Sequence, residues 1–189
     1  MVHHDLALVF LEHSGGAPFM AALRRFLEHD PTLQAFSNEE KTTFFKHWAE
    51  RGDAAEMVRE IETHPEWMTF AWRGAAKYHG QQKDFRKAWE LSRRFEEPPV
   101  LPADAQGSSI EQLRQALHAS PDNYGIGFQL YREQMRAGKI DEALVTVRHF
   151  TEQPSCPAYF HFLEADAWAA KEDWDRAWKA WQKFQSARK

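Results

Sequence analysis

The chain has 189 residues, 43% of them hydrophobic and 28% charged, with a net charge of −4. That apolar share is enough for a packed core and argues against disorder. The acidic balance excludes a general attraction to nucleic acid, and the single cysteine, Cys156, excludes an internal disulfide framework or a cysteine-rich zinc site. No apolar run approaches the ~18–20 residues that a bilayer crossing needs. Leu6 to Leu11 lacks the cationic start and small-residue cleavage site of a signal peptide. A soluble chain is expected, cytoplasmic or periplasmic.

Helix signals dominate from one end to the other. After an apolar start at Leu6, Val9 and Phe10, Gly15-Gly16 breaks the chain. Pro18 then opens a helix that carries Phe19, Leu23, Phe26 and Leu27 and stops before Asp30-Pro31. Ser37 or Asn38, followed by Glu39-Glu40, predicts a capped helix with Phe44, Phe45 and Trp48 on its apolar face. Gly52-Asp53 turns the chain into a second helix with Met57, Val58 and Ile61, ended by His64-Pro65. The pair repeats as Glu66 to His79, stopped by Gly80, and Asp84 to Phe95. From Glu96 the prolines Pro98, Pro99 and Pro102 forbid helix and favour an extended segment. Ser109 caps a helix over 110–119, ended by Ser120-Pro121-Asp122-Asn123. Two further pairs close the chain, 123–136 with 140–151 and 157–170 with 174–187.

One short phrase recurs at the turns between paired helices. It reads Lys83-Asp84-Phe85-Arg86-Lys87-Ala88-Trp89, Gly138-Lys139-Ile140-Asp141-Glu142-Ala143-Leu144 and Glu172-Asp173-Trp174-Asp175-Arg176-Ala177-Trp178. A weaker copy starts at Gly52-Asp53. Ala143 and Ala177 lie 34 residues apart, the period of a two-helix repeat. With Ala165 and Trp168 at the small and aromatic positions of a first helix, and Trp174 and Phe184 at the opening and late positions of a second, this pattern resembles the tetratricopeptide repeat. Tyr131 departs from it, standing where a small residue is usual. The segment from Phe26-Leu27 through Trp48 to His64-Pro65 is also similar to soluble repeat tails of bacterial envelope proteins of the O-antigen-ligase type.

The resemblance implies an all-α fold, a right-handed tetratricopeptide-like α-solenoid of about eleven helices in antiparallel hairpins. Its parts would be an irregular helical segment at 1–37, two degenerate repeats at 38–95, a Pro-rich insertion at 96–108, and a half repeat plus two repeats at 109–189, all in one continuous array.

Residues able to carry chemistry are sparse. His3, His4 and His13 near Glu12 lack a metal-ligand spacing, and the other histidines sit mostly at helix ends. Gly125-Ile126-Gly127 opens a helix rather than following a strand, so it reads as close helix packing and not as a phosphate loop. No nucleophile motif is present and Cys156 has no activating neighbour in sequence. No enzyme, cofactor or metal site is expected.

The family register places Thr42 and Lys46, then Phe70, Arg73 and Lys77, then Phe128 and Arg132, then Tyr159, Phe162 and Asp166 along the concave side. Cations beside aromatic rings suit an acidic peptide, with charge for its carboxylates and flat surface for its apolar side chains. The expected function is therefore a non-catalytic scaffold binding a protein or peptide segment in this groove. The alternative is a docking tail or homodimerisation module of a larger envelope assembly. That alternative would use Trp174, Trp178 and Trp181, which share one helical face.

Overall fold

The computed structural model describes residues 16–103 and 108–188. Among these, the ordered elements are ten α-helices and one 3-10 turn. The described residues fall into two compact units, one ending at Glu96 and the other beginning at Glu97. The expected apolar start and the His3/His4/His13 group lie outside the described residues.

In the first unit, α1 (Gly16–His29), α2 (Asn38–Arg51), α3 (Ala54–Thr63), α4 (Met68–Gln81) and α5 (Phe85–Phe95) follow in order, with the 3-10 turn Pro65–Trp67 between α3 and α4. Ser37 caps α2 in a reciprocal box. Its Oγ accepts from Glu40 N, and the Glu40 carboxylate accepts from Ser37 N at 2.7 Å. Asp53 caps α3 by accepting from the amides of Ala55 and Glu56. The core gathers Phe19, Leu23, Phe44, Phe45, Trp48, Met57 and Ile61, with the small Ala71 and Ala75 of α4 letting α2 approach closely. The expected stop at Gly80 is displaced. α4 runs on to Gln81, and Gly80 lies inside it with its carbonyl accepting from Lys83 N.

The second unit begins with the non-helical residues 97–103 and continues as α6 (Ile110–Ala119), α7 (Tyr124–Arg136), α8 (Ile140–Thr151), α9 (Ala158–Ala170) and α10 (Trp174–Ala187). Each helix packs on the one before it. The small residues of the repeated phrase, Ala143 and Ala177, are fully buried, as is Ala88 in the first unit. Tyr131 occupies its bulky position by anchoring α7 to α9, since its hydroxyl donates to the Leu163 carbonyl at 2.9 Å. Gly127 is pressed directly by the ring of Phe150, so the close-packing reading of the Gly125–Gly127 stretch applies to its second glycine.

The repeated phrase has one backbone meaning in three places. Lys83, Gly138 and Glu172 all adopt left-handed φ values, of 62°, 70° and 59°. Their amides bond back to the carbonyls of Gly80, Met135 and Ala169, and the next residue bonds to His79, Gln134 and Trp168. These paired bonds close the end of one helix. The residue that makes the second bond is at once the N-cap of the following helix: Asp84, Lys139 or Asp173. One turn therefore ends a helix and starts its partner.

Candidate functional site

The expected peptide-binding residues divide between exposed and buried positions. On α4, Phe70, Arg73 and Lys77 follow helical spacing along one face, with Arg73 and Lys77 exposed and Phe70 half-buried. The Arg73 guanidinium lies 4.9 Å over the Trp72 ring and 3.6 Å from the carboxylate of Glu96, whose side chain is only 8% exposed. Lys46 is exposed on α2, but the α2 cation that reaches this face is Lys41, with Nζ 5.4 Å from the centre of the Phe70 ring. Lys41 was missed in sequence because it lies on the core-facing side of α2. From there its half-buried side chain places the amine over the ring.

In the second unit two expected groove residues are core residues. Phe128 is 0% exposed and Phe162 is 2% exposed. Phe162 packs its ring 5.7 Å from Trp181 and 5.5 Å from Phe184, so neither it nor Phe128 presents a face to a ligand. Arg132 reaches over Phe128 at 5.6 Å and Tyr159 meets the same ring edge-on at 6.2 Å, and both are half-buried. Burial, reinforced by Cys156 and Tyr124, pushes the Tyr159 hydroxyl up to about 12 and keeps it neutral.

The Trp series is likewise mostly interior. Trp181 is fully buried and Trp178 nearly so, because α10 turns that face onto α9, while Trp174 is half-buried. An exposed three-ring face for self-association is therefore absent among the described residues.

A constellation not anticipated from sequence lies where α8, α9 and α10 meet. A cleft of about 330 Å³ is lined by Arg148, Glu164, Trp168, Arg176, Lys179 and Lys183. Glu164 is 9% exposed. Its Oε1 accepts from Trp168 Nε1 at 3.4 Å, and its buried Oε2 has no hydrogen-bond partner. The Arg176 guanidinium stands 4.6 Å over the Trp168 ring. Beside the cleft, burial and the Glu164 charge push the Cys156 thiol up to about 11, which leaves it un-ionised near neutral pH. His161 is held below its ordinary value by burial, with Lys183 acting in the same direction and Glu164 against it.

Among the described residues no group of three or more His, Cys, Asp or Glu is placed to hold a metal ion, and no helix is long and apolar enough to cross a membrane. The chain matches no protein-family model, no curated protein and no solved structure.

Proposed function

We propose that this chain is a non-catalytic interaction scaffold of tetratricopeptide type, which binds an acidic, extended protein segment along the α4 face of its first unit. The observation that carries this reading is the Arg73–Glu96 pair. A carboxylate from the start of a non-helical segment already rests on α4, 3.6 Å from a guanidinium that is itself stacked on an indole. The face thus has the chemistry for holding acids beside rings, and exposed Lys77 and half-buried Phe70 extend it by two helical turns. Recurrent helix hairpins joined by near-identical turns supply the rigid frame that such binding requires.

The test is a titration of the full chain into a short fluorescein-labelled peptide alternating Glu and Leu, followed by anisotropy. Exposed charge pairs contribute roughly 0.2–1 kcal/mol each. Lys77→Glu removes one attraction and adds a repulsion, so binding weakens by about tenfold at low salt. A peptide that binds wild type and Lys77→Glu equally would overturn this reading.

A further inference from the structure

The cleft between α8, α9 and α10 contains two uncommitted groups of opposite charge. Three of its cations are engaged with acids one helical turn away: Arg148 with Glu152 at 3.3 Å, Arg176 with Asp173 at 3.5 Å and Lys179 with Asp175 at 2.6 Å. Lys183 makes no ion pair with a described residue, and Glu164 Oε2 accepts no hydrogen bond. Both line the cleft beside Arg148, Arg176 and Lys179, which places them in one neighbourhood.

A buried carboxylate oxygen with no donor is costly to the free protein, and a ligand that brings a donor recovers that cost on binding. A cation alone would meet Arg148, Arg176, Lys179 and Lys183. An anion alone would meet Glu164. Four cations set against Glu164 and the three paired acids leave the neighbourhood balanced, so a bare polyanion gains little net attraction. What satisfies both uncommitted groups at once is a ligand that carries both signs. The cleft volume lies at the small end of the range for small-molecule sites.

We propose that this cleft binds a small zwitterion, an ammonium a few bonds from a phosphate or carboxylate head, with the ammonium on Glu164 and the head on Lys183. Arg148 and Arg176 are the groups that close over the head, since their exposed one-turn ion pairs are weak and easily exchanged. Trp168 Nε1 holds Glu164 in place by donating to the oxygen that the ligand does not use. The site lies on the second unit and does not depend on the acidic-segment reading of α4.

Isothermal titration of the full chain with O-phosphoethanolamine, aspartate, inorganic phosphate and ethanolamine tests this. At least one of the two zwitterions is expected to bind at least about tenfold more tightly than either phosphate or ethanolamine, and the tighter of the two identifies the head group. Glu164→Gln should erase the preference over phosphate, and Lys183→Gln should weaken the zwitterion several-fold while far-UV circular dichroism stays unchanged. Lys183 is exposed, so that variant remains decisive even if Glu164→Gln fails to fold. No measurable zwitterion binding, phosphate or ethanolamine binding as tightly as the zwitterions, or binding that ignores Lys183→Gln would each overturn the proposal.

Discussion

Gly127→Ala isolates the packing that joins α7 to α8. A Cβ at Gly127 would lie 2.0 Å from Phe150 Cε2 and 2.3 Å from its Cζ. Carbon atoms settle at about 3.5–4.0 Å, so roughly 1.5 Å of displacement must be found. The Phe150 ring cannot supply it by swinging aside. It is fully buried, stacked on Phe160 at 4.6 Å and held by Tyr124 at 5.5 Å. Overpacking of this kind costs about 1–3 kcal/mol, against a helix-propensity gain of up to about 1 kcal/mol for replacing glycine by alanine. Gly125 is the internal control. Its added Cβ would meet only Asn123 Oδ1 at 3.3 Å, the tip of a capping side chain, so the propensity gain survives there. The two variants should differ by about 2 kcal/mol in urea unfolding followed by circular dichroism, with Gly127→Ala the less stable. Equal midpoints, or a more stable Gly127→Ala, would refute the account of this crossing.

The shared turn predicts opposite effects at equivalent positions. Gly138→Ala places a side chain at φ 70° and should cost about 1 kcal/mol, whereas Glu172→Gly at φ 59° should be neutral or stabilising by a few tenths, both read from unfolding midpoints. Lys139 is the one N-cap of the three without a side-chain bond, so Lys139→Asp should add about 0.5–1 kcal/mol by the same measurement. With its thiol near 11 rather than 9.0, folded Cys156 should be alkylated by iodoacetamide at pH 8 about a hundredfold more slowly than in urea, and similar rates would contradict its burial. Burial chiefly, aided by Lys87, lowers the His79 pKa below 6.5. As pH falls through about 6.5, the unfolded chain therefore takes up the proton first, and stability declines until the lower folded value is passed, by at most about 1.4 kcal/mol per pH unit. His79→Gln should flatten that decline, and an unchanged slope would remove His79 as its source.

Much of the frame could be read before the structure, because its signals are local. Ser37 and Ser109 announce capped helix starts, and the alanines of the repeated phrase, Ala88, Ala143 and Ala177, announce buried positions. The left-handed turns at Lys83 and Glu172 were hidden, since neither residue is a glycine and only comparison with Gly138 reveals them. The expected row of binding residues was legible in part. Spacing along α4 holds, but α9 is covered on several sides, burying Phe160, Phe162, Leu163, Glu164, Ala165 and Ala167. A helix packed that way has no polar face from which to choose an outward row. The family register puts Phe162 on the concave side, where its burial leaves it no face for a ligand, while Glu164, the most informative residue of the cleft, gave no periodic signal.

The central claim is that the α4 face holds acidic segments, and Glu96 provides its most direct test. If Glu96 occupies Arg73 as a ligand's carboxylate would, Glu96→Gln frees that guanidinium. The Glu–Leu peptide should then bind several-fold more tightly than to wild type, while Lys77→Glu weakens it and added salt erases the difference. Unchanged or weaker binding to a folded Glu96→Gln variant would contradict the account.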